Sequence, residues 1–428
     1  MKNIFKAITL AFGVLVMSSC ESYLGGDLNE NPNSPTDAPV SVVLPVGLVN
    51  AADLTGGFFS RSTGVLTQQV EGVARQWSSI NNYSSFNPAY ANTGWNNMYE
   101  NTLIEFFTVK EKAAELGYAH YEGVADIMIA YCLMLATDVW DDIPYSEALQ
   151  GTDVLQPGLD TQAEIYTEVF AFLNSGATLL AGSDGGLALG SDDVIYGGSA
   201  SQWIKAASAL EARAQLHNGN YAAALTAAQN SFTSSSDNLA YQYPGGDAGA
   251  GQWYRFNRDR TGDIEFHPTM EGIMEGLGDT WREPVFDNTF ITSHPYLTDD
   301  FNQELITYRE IKFIEAECIS RTTGDPTTAF LAGVQAHFDH LGVGGYATYV
   351  AANYAAAPSL NQIMTEKYIA MFLQPEAYND WRRTNVPSLT PTSGSAVPVR
   401  FPYGEDEITF NTNVTDVDIF TSNVGWDN

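Results

Sequence analysis

Two helical segments joined by a very short turn place the strongest restriction on what this chain can fold into. Apolar and small residues fall on one face of the segment 201–217, at Trp203, Ala207, Leu210 and Ala214. Residues 217–220 (HNGN) then form a turn, and a second helical pattern rich in alanine follows over 221–231. A turn this short reverses the chain, so the sequence predicts a helical hairpin held by close contacts between small residues.

Helical patterns of the same kind recur along the chain. They occur at 103–116, 121–137, 161–180, 303–322, 326–341 and 360–374. The pair 303–322 and 326–341 forms a second predicted hairpin, with Asp325 as the N-cap and Pro326 as the first residue of the second helix. These pairs resemble tetratricopeptide units, although no strict repeat of about 34 residues is present. The predicted fold class is therefore mostly α, built from tetratricopeptide-like helical hairpins.

The segment 233–300 differs in composition from these helices. It is dense in Gly, Pro, Asn, Asp and aromatic residues, which predicts long structured loops. Long ordered loops often carry binding residues. We therefore expect a loop-rich ligand-binding part at 233–300, inserted between the helical hairpins.

The N-terminal residues indicate a targeting signal. Residues 1–19 contain two lysines near the start, an apolar run too short to span a bilayer, and two serines immediately before Cys20. This order resembles a bacterial lipoprotein signal, in which Cys20 would be lipidated and would become the first mature residue. The alternative is an ordinary signal peptide with an incidental cysteine. Residues 20–38 are predicted to form the lipidated N-terminus and a polar tether, and 39–428 a single α-helical domain.

The net charge restricts the partners of the chain. Acidic residues outnumber basic ones by 51 to 19, which gives a formal net charge of −32. Such a surface repels phosphate backbones and anionic lipid headgroups, so we expect no nucleic-acid partner and contact with the membrane only through the lipid anchor. It also argues against a uronate-rich or sulfated polysaccharide ligand, unless the site is locally basic or uses calcium. A neutral glucan or mannan meets no such penalty.

The sequence lacks several common catalytic and metal-binding motifs. HExxH, GxxxxGK[ST] and GxSxG are absent, and the cysteines lack the spacing of a zinc site. His337 and His340 have i, i+3 spacing without an evident third ligand, so no metal site is predicted there. Cys132 and Cys318 are predicted to be buried free thiols. The chain is therefore not expected to be an enzyme.

No cofactor is expected, and bound calcium is the alternative. Three acidic pairs could supply carboxylate ligands to such an ion: Asp141–Asp142, Asp192–Asp193 and Asp299–Asp300. None of these pairs lies in the loop pattern of an EF-hand, and solvated carboxylates are the commoner explanation.

Four segments in chain order resemble the motifs of one family. They are 141–148 (DDIPYSEA), 308–317 (YREIKFIEAE), 366–383 (EKY at its start and EAYNDWRR at its end) and 400–403 (RFPY). Together with Cys20, they resemble the SusD/RagB family of nutrient-binding outer-membrane lipoproteins of Bacteroidetes. Several of the motif residues have an alternative explanation as packed or ion-paired scaffold contacts.

The resemblance implies a binding function without catalysis. Members of the family have one α-helical domain with four tetratricopeptide-like hairpins and an irregular ligand-binding part. The chain is then expected to be a lipid-anchored protein of the outer membrane, exposed at the cell surface. It would capture an oligo- or polysaccharide and deliver it to a SusC-like TonB-dependent outer-membrane transporter. The alternatives are a peptide-binding RagB-like lipoprotein and a surface glycoside hydrolase, which would need a pair of carboxylates.

The resemblance indicates the ligand site by region only. Sugar rings stack on aromatic side chains, and their hydroxyl groups need amide, carboxylate or guanidinium partners. The early segment after the first helix and the later insertion supply the predicted ligand-binding residues, which are Arg75, Trp77, Asn81, Tyr83, Trp253 and Trp281. The alternative for any single Trp is that it fills the core under a long loop. Trp95 is predicted to be such a core residue.

Overall fold

The computed structural model of the chain describes residues 38–286, 294–322 and 324–427. The predicted signal peptide, Cys20 and almost all of the tether lie outside the described residues. From Val40 onward the chain forms one compact unit.

Helices provide most of the regular structure. The α-helices are, in chain order, α1 (Val40–Leu54), α2 (Ser60–Leu66), α3 (Arg75–Asn81), α4 (Pro88–Asn96), α5 (Ile104–Leu116), α6 (Ala119–Trp140), α7 (Gln162–Ala181), α8 (Ala200–His217), α9 (Tyr221–Gln229), α10 (Gly246–Gly249), α11 (Gln252–Asp259), α12 (Pro268–Gly276), α13 (Tyr308–Thr322), α14 (Thr327–Leu341), α15 (Tyr346–Asn353), α16 (Leu360–Ala370), α17 (Glu376–Thr384) and α18 (Glu405–Phe410). Two π-helical segments join consecutive α-helices, the first at Thr55–Phe59 between α1 and α2 and the second at Asn97–Leu103 between α4 and α5.

Four short strands form two small antiparallel sheets in the described part of the chain. The strands are β1 (Val70–Gly72), β2 (Leu239–Gln242), β3 (Ile264–Phe266) and β4 (Asn302–Ile306). Strand β1 pairs with β3, so that Val70 faces Phe266, and β2 pairs with β4, so that Gln242 faces Asn302. Both sheets therefore connect the helical part to the insertion near 233–300.

The helices α5 to α9, α13 and α14 form an array in which each helix packs against the next one in chain order. The predicted hairpin is present, because α8 ends at His217 and α9 begins at Tyr221. Local signals define the helix ends: Thr161 and Glu164 form a capping box at the start of α7, and Gly117 ends α5 with a left-handed φ of 76°. The array confirms the mostly α fold class with tetratricopeptide-like hairpins.

Two helices are long and apolar enough to cross a membrane by length and composition. In Ala119–Trp140 the most apolar window is entirely buried inside the protein, and in Val40–Leu66 the window is 67% buried. A helix that is apolar on every face is what the centre of a helical array requires, because other helices cover it on all sides. The composition of α6 is thus explained by its central position.

Some predicted boundaries are wrong. Residues 303–306 were expected at the start of a helix, but they belong to β4, whose backbone pairs with β2 some sixty residues earlier. The helix predicted to run from 360 to 374 ends at Ala370, because Leu373 takes a left-handed φ of 59° and the chain turns before α17. Within 233–300 the helices α11 and α12 stand where only loops were expected.

The motif segments of the sequence are held in the interior. The hydroxyl group of Tyr403 donates to the backbone carbonyl of Asp142 at 2.8 Å, which joins the last motif to the first. The guanidinium group of Arg383 lies 2.9 Å from Glu317, which joins the third motif to the second, and both side chains are buried. These contacts favour the structural explanation of the motifs.

The crossing of α6 and α7 depends on two glycines. A Cβ atom added to Gly176 would lie 2.6 Å from the carbonyl oxygen of Gly123, and one added to Gly123 would lie 3.0 Å from the carbonyl oxygen of Gly176. Because backbone blocks both positions, Gly176→Ala is expected to lower the free energy of unfolding by about 1–3 kcal/mol, measured by thermal and urea denaturation. The control is Gly272→Ala in α12, where the added Cβ atom meets no atom within 4 Å. A Gly176→Ala variant as stable as that control would contradict the close crossing.

Candidate functional site

A polar pocket of about 270 Å³ lies where α1, the two π-helical segments and α11 meet. Its walls are formed by Asn50, Asp53, Leu54, Gly57, Phe58, Arg61, Thr93, Asn97, Asn101, Thr102 and Gln252. The first π segment contributes two of these residues and the second contributes three. Helices with π geometry are rare and occur frequently at functional sites. We call this feature the π-helix pocket.

A chain of hydrogen bonds orients the amide side chains of the pocket. Asn50 donates to the backbone carbonyl of Asn101 at 2.5 Å, Asn101 donates to the side-chain oxygen of Asn97 at 2.9 Å, and Asn97 donates to the carbonyl of Thr93 at 2.7 Å. A carboxamide has two donor hydrogens and two acceptor lone pairs, so these bonds use only part of its capacity. The pocket therefore presents fixed amides that can bind the hydroxyl groups of a ligand.

The first π segment opens the pocket at Gly57. A Cβ atom added there would lie 3.4 Å from the side-chain oxygen of Gln252 and 3.5 Å from Nη2 of Arg61, which is ordinary contact. A larger side chain at this position would extend between these two groups. The neighbouring Gly56 has a different role, because a Cβ atom there would collide with Gln303. Gly57 therefore leaves space in the pocket, whereas Gly56 permits close packing.

Arg61 supplies a positive charge to the π-helix pocket. Its guanidinium group lies over the ring of Phe256, with Cζ 5.0 Å from the ring centroid. The Nη1 atom is buried without a hydrogen-bond partner, and no ion pair of Arg61 is found within the described residues. Burial lowers the pKa of Arg61 to about 10, so the group stays charged at neutral pH.

Asp53 is the carboxylate among the residues that line the pocket, and it is already engaged. The hydroxyl group of Tyr243 donates to one carboxylate oxygen at 2.6 Å, and Arg255 donates to the other at 3.2 Å. Hydrolysis of a glycosidic bond needs two carboxylates on opposite sides of that bond. The lining of this pocket supplies one, so its geometry favours binding.

Two of the predicted ligand-binding residues lie beneath this pocket. Trp77 and Trp253 are 4% and 3% exposed, and the edges of their rings pack against Phe256 at centroid distances of 5.4 Å and 6.0 Å. Trp253 also donates to the hydroxyl group of Ser60 at 2.8 Å. In this conformation the two indole rings support the phenyl ring on which Arg61 rests and offer no exposed stacking face.

The other predicted residues lie in different surroundings. Arg75 pairs with Asp263, and more than half of its side chain is exposed. Tyr83 is buried with a left-handed φ of 66°, and its hydroxyl oxygen accepts from the backbone N–H of Thr392 at 3.2 Å. Asn81 is 9% exposed on α3, and Trp281 packs against Tyr349 at a centroid distance of 6.5 Å. A direct ligand contact by any of the six residues stays a prediction.

Sequence reasoning did not select the residues that line the π-helix pocket. Signals for them are present, since paired glycines at 56–57 interrupt an apolar helix and asparagines cluster over 96–101 (NNMYEN). Neither signal shows that the two segments face each other. Trp95, which was expected in the core, is 4% exposed there.

A buried cluster has side chains that could hold a metal ion. The ligand atoms of Asp138, His217 and Glu376 lie within 4.8 Å of one another. The imidazole of His217 already bonds both carboxylates, at 3.2 Å to Asp138 and 2.8 Å to Glu376. Asn379 donates to both carboxylates as well. The protonated imidazole thus supplies the positive charge that these carboxylates need.

The three acidic pairs that could bind calcium make hydrogen bonds with the backbone. One carboxylate of each pair accepts a hydrogen bond from a backbone N–H group, from Gly425 at 2.7 Å, Gly198 at 2.9 Å and Gly246 at 2.7 Å. Carboxylates bound in this way have a structural explanation, and calcium binding there stays a prediction.

A larger groove of about 470 Å³ runs beside α5 and the segment after α6. Phe107 and Tyr145 line it, with a ring centroid distance of 6.4 Å, and Tyr145 donates to the carboxylate of Glu168 at 3.1 Å. Its lining contains a single amide side chain, that of Gln150, whereas the π-helix pocket contains four. We therefore place the candidate binding site in the π-helix pocket.

A comparison with protein families matches the SusD-like family described as starch-binding and associating with the outer membrane, over residues 47–404. The chain belongs to this family. The family resemblance of the sequence motifs is thereby confirmed, and the description of the family is that of a binding protein. No curated protein matches the sequence.

Solved structures of SusD-like proteins share the fold. A SusD/RagB family protein from Bacteroides thetaiotaomicron has a TM-score of 0.77 at 22% identity, covering 91% of this chain and 99% of that one. A chitin-binding SusD homologue from Flavobacterium johnsoniae has a TM-score of 0.72 at 20% identity, covering 91% and 98%. A SusD homologue from Bacteroides fragilis has a TM-score of 0.74 at 19% identity, covering 91% and 99%. At these identities the similarity concerns the fold.

Proposed function

We propose that this SusD-like protein is a cell-surface lipoprotein that binds a glycan in the π-helix pocket and delivers it to a SusC-like TonB-dependent outer-membrane transporter. Lipidation of Cys20 would anchor it in the outer membrane. The observation that carries the proposal is the set of fixed amides from Asn50 on α1 and from Asn97 and Asn101 on the second π segment, which line one pocket.

The chemistry of this lining suits a saccharide. Sugar hydroxyl groups both donate and accept hydrogen bonds, and carboxamides can do the same. The family is described as starch-binding, and two structural neighbours are described as chitin-binding, so neutral glucans and chitin oligosaccharides both belong in a ligand panel. Peptides form the remaining class, which the same experiment can distinguish.

The experiment is affinity gel electrophoresis of the whole chain, purified in detergent, against neutral and acidic polysaccharides. Retardation by a glycan whose chain length stays unchanged would support binding without hydrolysis. Shortening of the glycan would favour the hydrolase alternative. No retardation by any glycan, together with binding of a peptide digest, would overturn the proposal in favour of the peptide-binding alternative.

Gly57→Leu is expected to weaken glycan binding by about tenfold or more, because the new side chain fills the space between Gln252 and Arg61. The added Cβ atom makes only ordinary contacts, at 3.4 Å or more, so the variant is expected to fold. Isothermal titration calorimetry with the retarded glycan gives the dissociation constant.

The matched control is Gly272→Leu in α12, an exposed helical glycine with no atom within 4 Å of an added Cβ atom. It is expected to bind as the wild type does. Equal binding by Gly57→Leu, with an unchanged melting temperature, would exclude the π-helix pocket as the site.

A further inference from the structure

The π-helix pocket contains a guanidinium group that the protein itself leaves without a counter-ion. Two interior arginines elsewhere pair with carboxylates: Arg213 lies 2.7 Å from Glu310, and Arg282 lies 2.9 Å from Glu366. Arg61 has no hydrogen bond or ion pair within the described residues, and its Nη1 atom is buried. A buried polar group without a partner is costly and rare, and a missing ligand is one explanation for it.

The neighbouring carboxylate does not fill this role. Asp53 lies in the same pocket, but its two oxygens accept from Tyr243 at 2.6 Å and from Arg255 at 3.2 Å. Arg255 therefore brings a second positive charge to the carboxylate of the pocket, although Arg255 itself does not line it. With two guanidinium groups against one carboxylate, this part of a chain of net charge −32 is locally basic.

The surroundings of Arg61 leave its N–H donors to a ligand. The Cζ atom lies 5.0 Å from the centroid of the Phe256 ring, so that ring covers one side of the guanidinium group. The planar fork of N–H donors matches a planar carboxylate, which can accept two parallel hydrogen bonds. The asparagine side chains in the same pocket remain suited to hydroxyl groups.

We propose that the π-helix pocket binds a saccharide carrying a carboxylate, with the uronic acid group held by Arg61 and its hydroxyl groups held by Asn97 and Asn101. This inference rests on the proposed glycan-binding function and names its ligand class. A pocket of about 270 Å³ is small, so it takes one acidic residue of an oligosaccharide and leaves the rest of the polymer outside. The negative net charge of the chain does not exclude this ligand, because the charge at the site is positive.

The experiment compares acidic oligosaccharides with their methyl esters, which keep the sugar backbone and remove the charge. Isothermal titration calorimetry is performed on the whole chain in detergent with tri-galacturonate, alginate trisaccharides and glucuronoxylan oligosaccharides, each with its methyl ester. Laminarin and chitin oligosaccharides are the neutral members, and a sulfated galactan oligosaccharide is the other anion. At least one acidic oligosaccharide is expected to bind about tenfold or more tightly than its ester, since bonds to charged groups are the stronger ones.

Variants test whether Arg61 is the origin of this preference. Arg61→Met is expected to bind the acid and its ester equally, and Arg61→Lys is expected to keep part of the difference, because lysine retains the charge without the planar fork. The matched control is Arg258→Met, on the same α11 helix as the pocket residue Gln252 but paired with the exposed Asp259. It should leave the preference unchanged. Removal of an unpaired buried charge should also leave the melting temperature of Arg61→Met unchanged or raised.

The outcomes separate this inference from the proposed function. If a neutral glycan binds and no acidic oligosaccharide exceeds its ester, the acidic ligand is excluded while glycan binding stands. If the sulfated oligosaccharide alone binds and Arg61→Met abolishes that binding, the carboxylate is the wrong anion. If no member of the panel binds, both this inference and the proposed function fail.

Discussion

Replacing Arg282 with methionine is expected to lower the free energy of unfolding by about 3–5 kcal/mol, which corresponds to a fall of roughly 5–10 °C in the melting temperature. The side chains of Arg282, Asp279 and Glu366 are fully buried, and the guanidinium group lies 2.5 Å and 2.9 Å from the two carboxylates. The same group stacks between Phe338 and Tyr349 at 4.6 Å and 4.8 Å. Without Arg282 two carboxylates remain in the interior without their counter-ion.

A double variant identifies the origin of this loss. Glu366→Gln removes one of the two buried negative charges that Arg282→Met leaves without a counter-ion, so the double variant should be more stable than Arg282→Met alone. Arg258→Met is the control for loss of an arginine at the surface, and its unfolding free energy should stay unchanged within error. Calorimetry and urea denaturation measure each variant. Equal losses for the single and double variants would show that the packing of the arginine matters more than its charge.

The helical array could be predicted from sequence because helix faces are encoded locally. The residues Trp203, Ala207, Leu210 and Ala214 were placed on one face by their spacing alone, and all four are buried in the structure. A turn as short as the one at 217–220 leaves the chain few alternatives to an antiparallel return. Burial of both thiols was predicted in the same way, and Cys132 and Cys318 are buried and free.

Features that depend on distant partners could not be predicted in this way. The sequence of β4 resembles the start of a helix, and its pairing with the distant strand β2 makes it a strand instead. The π-helix pocket brings Asn50, Asn101 and Gln252 together from three separate parts of the chain. Aromatic residues beside polar ones have the same composition whether they form an exposed platform or a supporting layer, and Trp77 and Trp253 belong to the second kind in this conformation.

The net charge of the whole chain also differs from the local charge at the site. A net charge of −32 describes the average surface, and it predicts repulsion of anions at long range. Binding is decided by the few groups within hydrogen-bonding distance, where Arg61 faces the pocket without a counter-ion. Sequence composition cannot show which of 19 basic residues is left unpaired after folding.

A buried histidine is the other charged centre with a large expected effect. His217 lies at the end of α8, between the carboxylates of Asp138 and Glu376, and Arg213 faces Glu376 at 3.6 Å. Tyr166 adds a hydrogen bond to the same imidazole at 2.8 Å. Burial alone would lower the pKa of His217, but Glu376 and Asp138 outweigh it and raise the pKa from 6.5 to about 9.

The protein is therefore expected to lose about 3 kcal/mol of stability as the pH rises from 6.5 to 9 and slightly above. The folded state holds the imidazole proton more tightly than the unfolded state does. The contribution of His217 is fully present below pH 6.5 and disappears as the pH rises through about 9. Urea denaturation at intervals between pH 6 and pH 9.5 measures the change.

Comparison with His217→Gln isolates the titration of this residue from that of other groups. Glutamine can bond to both carboxylates but carries no charge, so the variant should be less stable than the wild type at pH 6.5, and the two should converge near pH 9.5. His120→Gln is the control at the surface, where the imidazole contacts the carbonyl of Gly182 at 3.1 Å. Its profile should run parallel to that of the wild type. If the stability profile of His217→Gln were also parallel to that of the wild type, the imidazole would be neutral in the folded state. The cluster of Asp138, His217 and Glu376 would then lack the positive charge that makes a bound metal ion unnecessary.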